Sequence, residues 1–148
     1  MGGASENPYP GSLATVREII DLANEYYHAA NVLFQRAQKE APLSYAPARF
    51  CAIHAIELYL NAFLRHEGIA PEQIRRRMHN LADPTFVTTL KLKKKTAQHL
   101  ETIVAKREYL IARYAPDQYS QHTELNRLSA TMAEIMMKAG NMARGYSN

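Results

Sequence analysis

From Pro47 to Glu67 the chain places apolar residues on almost every side of a helical wheel. At about 100° per residue, Ile53, Ile56, Tyr59, Leu60, Phe63 and Leu64 cover one broad side. Ala52, Ala55 and Ala62 add small residues that let neighbours approach closely. His54, Glu57, Asn61 and Arg65 fall in a wedge of roughly 80°, beside Phe50 and Leu58. Only a helix surrounded by others can bury so much of its circumference, so this segment belongs at the centre of a bundle. Its polar stripe has two readings. It is the helix's solvent strip, or His54 and Glu57 line a cleft or subunit interface, where polar groups on a mostly buried helix need partners.

The remaining segments also read as helices. Apolar residues recur at spacings of three and four, and no Asn-Gly hairpin signal separates alternating runs. A first helix is predicted from about Leu13 to Glu40, capped by Ser12 and stopped by Pro42. The central helix opens on Pro47 at its first position and closes at Gly68. A third segment runs from Pro71 to about Leu81, and Asp83-Pro84 marks a fresh N-cap and first position. A fourth runs from about Lys95 to Tyr114, and a fifth from about Ser120 to Ala139, terminated by Gly140. The expected architecture is all-α: an up-and-down antiparallel bundle of four long helices plus a short extra helix. With 148 residues it reads as one domain over 12–140, with a flexible arm at 1–11 and a frayed tail at 141–148.

Charge is unevenly placed. Pro71 to Arg107 holds nine Lys/Arg against three acids, a local +6, so the rest carries −2 of the chain's net +4. This basic middle, with Arg75, Arg76, Arg77, Lys91, Lys94 and Lys95, is either a solvated helix face or a local surface for anions such as phosphates. The single cysteine, Cys51, excludes an internal disulfide framework and fits a reducing cytoplasm. No secretory signal and no apolar run of about 20 residues is seen, so no membrane partner is expected. Gly-rich phosphate loops, His-Glu-x-x-His and Gly-x-Ser-x-Gly are absent from the sequence, and no metal or other cofactor is expected.

Several polar residues stand out individually. Arg107 falls inside the apolar arc of the fourth segment, where it needs a partner; Glu57, Glu108 or an acid on the first segment would serve. Arg113 leans to another side. Arg75 and His79, four apart, share a helical face that suits an anion beside a proton carrier. Arg49 and His54 are five apart, about 140° around a helix, and so diverge. His28, His66, His99 and His122 read as surface or boundary residues.

Three stretches carry a family resemblance. The run Ala46 to Leu64, with Ile53-His54-Ala55-Ile56-Glu57-Leu58-Tyr59-Leu60-Asn61-Ala62, resembles the second helix of HEPN domains. That family often has Gln where this chain has His54, and Lys where it has Asn61. His79-Asn80-Leu81 is similar to the His-Asp-Leu that follows in the family. Tyr109-Leu110-Ile111-Ala112-Arg113-Tyr114-Ala115-Pro116 is similar to the signature closing its fourth helix. The order and spacing match over about Leu13 to Ala139.

The resemblance implies an up-and-down helical bundle that forms a homodimer. It also implies a role in nucleotide or RNA biology, as toxin ribonuclease, defence module or partner of a nucleotidyltransferase. The ribonuclease members carry Arg-x(4–6)-His late in the chain, and neither Arg107 nor Arg113 has such a His. The expected function is therefore a cytoplasmic, dimeric nucleotide- or RNA-binding or accessory component of a toxin–antitoxin or defence-type system. Two alternatives stand beside it: a non-catalytic scaffold for a protein such as an antitoxin, and a metal-independent ribonuclease using His79 or His54. Glu57, Asn61 and Arg107 are the expected structural or cleft polar residues, and Arg113 joins the phosphate-binding set.

Overall fold

A computed structural model describes residues 8–121 and 123–145. Residues 1–7 of the expected arm, His122 and residues 146–148 of the expected tail lie outside the described residues. Among the described residues the chain is all-α, and its one β feature is an isolated bridge between Gln38 and Ala41. The helices are α1 (Val16–Arg36), α2 (Ala46–His66), α3 (Pro71–Arg76), α4 (Pro84–Thr88), α5 (Lys94–Lys106), α6 (Glu108–Tyr114) and α7 (Leu125–Ala143). Short 3-10 turns at Pro42–Tyr45 and Pro116–Gln121 complete them.

The centre is α2. It packs on α1, α3, α6 and α7, and Tyr59, Phe63, Ile56 and Leu60 are fully buried along it. Buried Tyr59 keeps its hydroxyl satisfied by donating to Asn24 Oδ1 of α1 at 2.6 Å. Tyr26 meets His54, Asn24 meets Tyr59, and Ala14 just before α1 meets Arg65, so α1 and α2 run antiparallel. α5 and α7 are also antiparallel, joined by Thr96 to Glu134 and His99 to Thr131.

Helix ends follow local chemistry. α1 starts later than expected, because Thr15 and not Ser12 is its N-cap: Thr15 Oγ1 accepts from Glu18 N, and Glu18 Oε1 accepts from Thr15 N. α1 also stops before Pro42 acts, since Gln38 N–H is taken by Ser44 Oγ at 2.8 Å and the chain turns there. Gly68, at φ +91°, closes α2 with Ile69 N–H on Leu64 O and Gly68 N–H on Arg65 O. Asp83 caps α4 through Thr85 N–H, with Pro84 at the first position. α3 ends at Arg76, short of Leu81, because Met78 turns left-handed at φ +56° and leads into the next loop.

Two larger departures matter for function. The expected fourth helix is broken at Arg107, a left-handed residue at φ +54° that ends α5 and precedes α6. The break turns Arg107 out to solvent and Glu108 fully into the core, so Arg107 occupies no apolar arc and, among the described residues, pairs with no buried acid. Gly140 does not terminate α7: it is buried within the helix, and its missing Cβ makes room for the Arg144 guanidinium, 3.0 Å from where that Cβ would lie. Asn141–Ala143 of the expected tail are therefore helical, and the left-handed stop is Gly145.

A left-handed conformation costs a residue with a Cβ about 1 kcal/mol that glycine avoids. Arg107→Gly is therefore expected to raise stability by about 1 kcal/mol in a urea melt. A residue packed inside an apolar arc would give a loss from the same substitution.

Candidate active cleft

The stripe that α2 leaves unburied carries Phe50, His54 and Glu57, at i, i+4 and i+7, so they stack along one face. Over this face come residues from two distant segments. The loop after α3 brings His79. Leu81 anchors that loop, buried in the core, and Asn80 Oδ1 braces it by accepting from Ala82 N–H. α6 brings Tyr109 and Arg113, one turn apart. Together with Ile53 these side chains line a cleft of about 210 Å³.

The contacts inside are specific. His79 Nδ1 lies 3.2 Å from Glu57 Oε1. An ionised carboxylate only accepts, so Nδ1 carries the proton in this pair and Nε2 is left for the cleft. The His79 ring lies against Tyr109, with centroids 4.3 Å apart. His54 is held between Phe50, stacked at 6.0 Å, and the edge of Tyr26 of α1 at 4.5 Å. Burial lowers the His54 imidazole below its ordinary value; Glu57 opposes this, and Arg113 and His79 add to it. His54 is thus neutral near pH 7 and able to accept a proton. Arg113 is exposed, its guanidinium 5.5 Å from the Phe50 ring centre and hydrogen-bonded to the Tyr114 hydroxyl at 2.8 Å. It has no carboxylate partner among the described residues, which leaves its charge available to an anion.

The expected basic surface does not join this cleft. Arg75 stacks over Tyr9 and donates to Ser12 Oγ, so it shares no face with His79. Arg77 is paired with Asp83 at 2.6 Å. Arg76 is exposed on α3, and Lys91, Lys94 and Lys95 are exposed at the entry to α5. That entry is capped from α7, where Glu134 takes Lys93 N–H and the Thr96 hydroxyl. Asn61 lies one turn beyond Glu57 in an adjoining groove. Arg107 stands outside the cleft. Of the predicted site residues, His54, Glu57, His79 and Arg113 converge. Tyr109 and Phe50 were not among them, although Tyr109 at i−4 from Arg113 was a legible signal.

A second polar system was not legible as such. Arg49 diverges from His54 into the interior, where Nη1 lies 3.9 Å from Glu108 Oε1 and Nε donates to Tyr119. Thr123 donates its hydroxyl to Glu108 and receives His99 Nε2–H at 2.8 Å. His99 Nδ1 then accepts from Thr131 at 2.7 Å. His99 is therefore no boundary residue but a buried, neutral one, with burial, Arg127 and Arg49 together lowering its pKa to about 4. Burial pushes the Glu108 carboxyl up, against hydrogen bonds from Thr123 and the charge of Arg49.

No family model, curated protein or solved structure matches this chain.

The folded state takes up the His99 proton less readily than the unfolded chain does. Its contribution to stability is therefore full above the ordinary 6.5 and is lost as pH falls toward 4. The loss amounts to about 3 kcal/mol. Urea melts at neutral pH and near pH 4 are expected to show a smaller acid loss for His99→Gln than for the parent. Equal losses would remove His99 from the account.

Proposed function

We propose that the chain is a HEPN-like helical protein that works as a homodimer and binds nucleotide or RNA phosphates in the His54–Glu57–His79–Arg113 cleft. It serves as an accessory component of a toxin–antitoxin or defence-type system, with an antitoxin or a nucleotidyltransferase as protein partner. In this reading α1, α2, the broken α5–α6 leg and α7 stand for the four legs of an up-and-down bundle. One observation carries the proposal. The three separate stretches that resemble the family each contribute to one cleft: His54 and Glu57 from the first, His79 from the second, Tyr109 and Arg113 from the third. Stretches that only shared helical periodicity would have no reason to place their polar residues together.

The electrostatics fit a phosphate: Arg113 offers an exposed guanidinium with no carboxylate partner among the described residues. Fluorescence anisotropy with a labelled single-stranded RNA is expected to show affinity falling as salt rises from about 50 to 200 mM. Arg113→Ala is expected to weaken binding about tenfold or more, as for loss of a charged hydrogen bond. Salt-insensitive binding, or binding indifferent to Arg113, overturns the reading. Light scattering is expected to give twice the 16.8 kDa chain mass.

A second reading, metal-independent ribonuclease, is favoured by the two imidazoles that face one cleft. Neutral His54 would take the proton of an RNA 2′-hydroxyl as that oxygen attacks phosphorus. His79, protonated and oriented by Glu57, would give a proton to the departing 5′-oxygen. Arg113 would stabilise the charge on the phosphorane. Cleavage in the presence of a chelator, lost on a 2′-deoxy substrate and cut about 100-fold by either His54→Ala or His79→Ala, is the expected signature. Stable RNA in that assay leaves the binding reading in place and removes the catalytic one.

A further inference from the structure

Beyond the cleft, the same face of α2 opens into a second lobe of about 430 Å³. His54 and Glu57 line both cavities, so the two adjoin along this face of α2. Ile19 and Leu22 of α1, Leu58 of α2 and Ile74 of α3 give the second lobe apolar walls. Its outer wall is the segment from Tyr9 to Ala14, and two arginines hold that wall in place. Arg65 Nη2 donates to Ala14 O at 2.8 Å, and Arg75 Nη1 donates to Ser12 Oγ at 3.0 Å. The Arg75 guanidinium also lies 4.2 Å from the Tyr9 ring centre.

These contacts decide what kind of group the lobe suits. Both guanidinium groups in it are already engaged with the arm, so they are poorly placed to take a second phosphate. What remains is an apolar slot with two polar side chains that make no hydrogen bond among the described residues, His54 toward the phosphate cleft and Asn61 deeper in the lobe. Asn61, half-buried, makes no hydrogen bond among the described residues, and its amide presents a donor and an acceptor side by side. It lies about 6 Å along the helix from Glu57, one turn further from the phosphate cleft. Leu22 stands 49% exposed at the rim, so a flat group entering the slot would cover apolar surface that now faces water.

We propose that this lobe is a nucleobase subsite, in which the base attached to the bound phosphate packs on Leu22 and Leu58 and pairs its polar edge with the Asn61 amide. The proposal rests on the reading of the first cleft as a phosphate site. It assigns the arm from Tyr9 to Ala14 as a built wall of the binding groove, positioned by Arg65 and Arg75.

The test compares a short single-stranded RNA with an abasic ribose–phosphate chain of the same length, by competition anisotropy. The parent protein is expected to bind the RNA about tenfold more tightly than the abasic chain, the scale of one hydrogen-bonded base edge with the apolar surface it covers. Asn61→Ala and Leu22→Ser are each expected to erase most of that difference while leaving abasic binding within about twofold. Both positions are at least partly exposed, and thermal melts check that the variants fold. Arg113→Ala weakens both ligands together. Equal binding of RNA and abasic chain by the parent overturns the subsite and leaves the phosphate reading standing. So does a loss in Asn61→Ala and Leu22→Ser that is the same for both ligands. Failure of the parent to bind either ligand overturns the phosphate reading, and the subsite with it.

Discussion

Burial of α2 on nearly every side sets the position of everything else. Tyr59, Phe63, Ile56 and Leu60 leave the helix no freedom to rotate, because a small rotation would bring apolar area to water and polar groups into the core. One strip remains uncovered, and it runs through Phe50, His54, Glu57 and Asn61. The cleft and the adjoining lobe are the two ends of that strip. Their chemistry is therefore held by the best-packed element in the molecule. A rigid helix fixes polar side chains more closely than a loop would.

The left-handed residue Arg107 does the complementary work from the other side. An unbroken helix through this region would place Arg107 inward. The break instead sends Glu108 to the interior, beside Arg49 and Thr123, and leaves Tyr109 and Arg113 facing α2. The polar groups fall into two systems that meet on neighbouring turns of α2 and α6. One is buried and neutral or internally paired, running Arg49, Glu108, Thr123, His99, Thr131. The other is open to solvent and holds an uncommitted cation. Arg49 and His54, only five residues apart on α2, belong to different systems because their side chains diverge.

This division explains what could be read from residues alone. Helix periodicity, the Gly68 stop and the Asp83-Pro84 start are local signals, and the structure reproduces them with their own hydrogen bonds. The central place of α2 was legible because its wheel has a single polar wedge. The C-terminal end of α7 was not: Gly140 reads as a stop by propensity, but the helix continues through it and the left-handed stop comes at Gly145. The break at Arg107 carries no glycine or proline and is decided by which of Arg107 and Glu108 can be satisfied inside. His99 looked peripheral because its two partners, Thr123 and Thr131, lie far along the chain.

The basic middle of the chain has the same lesson in electrostatic form. Counted as sequence, Pro71 to Arg107 is a cationic block. In the fold its charges separate according to local need: Arg77 compensates Asp83, Arg75 holds the arm, and the lysines at the start of α5 stay in water. A lysine-rich first turn is unfavourable for the helix dipole, and Glu134 from α7 offsets this by occupying the free N–H of Lys93. Net charge therefore says little about where an anion would sit. The cation that faces the cleft is Arg113, which lies outside the basic block, and its position depends on the turn at Arg107 and on the strip that α2 cannot bury.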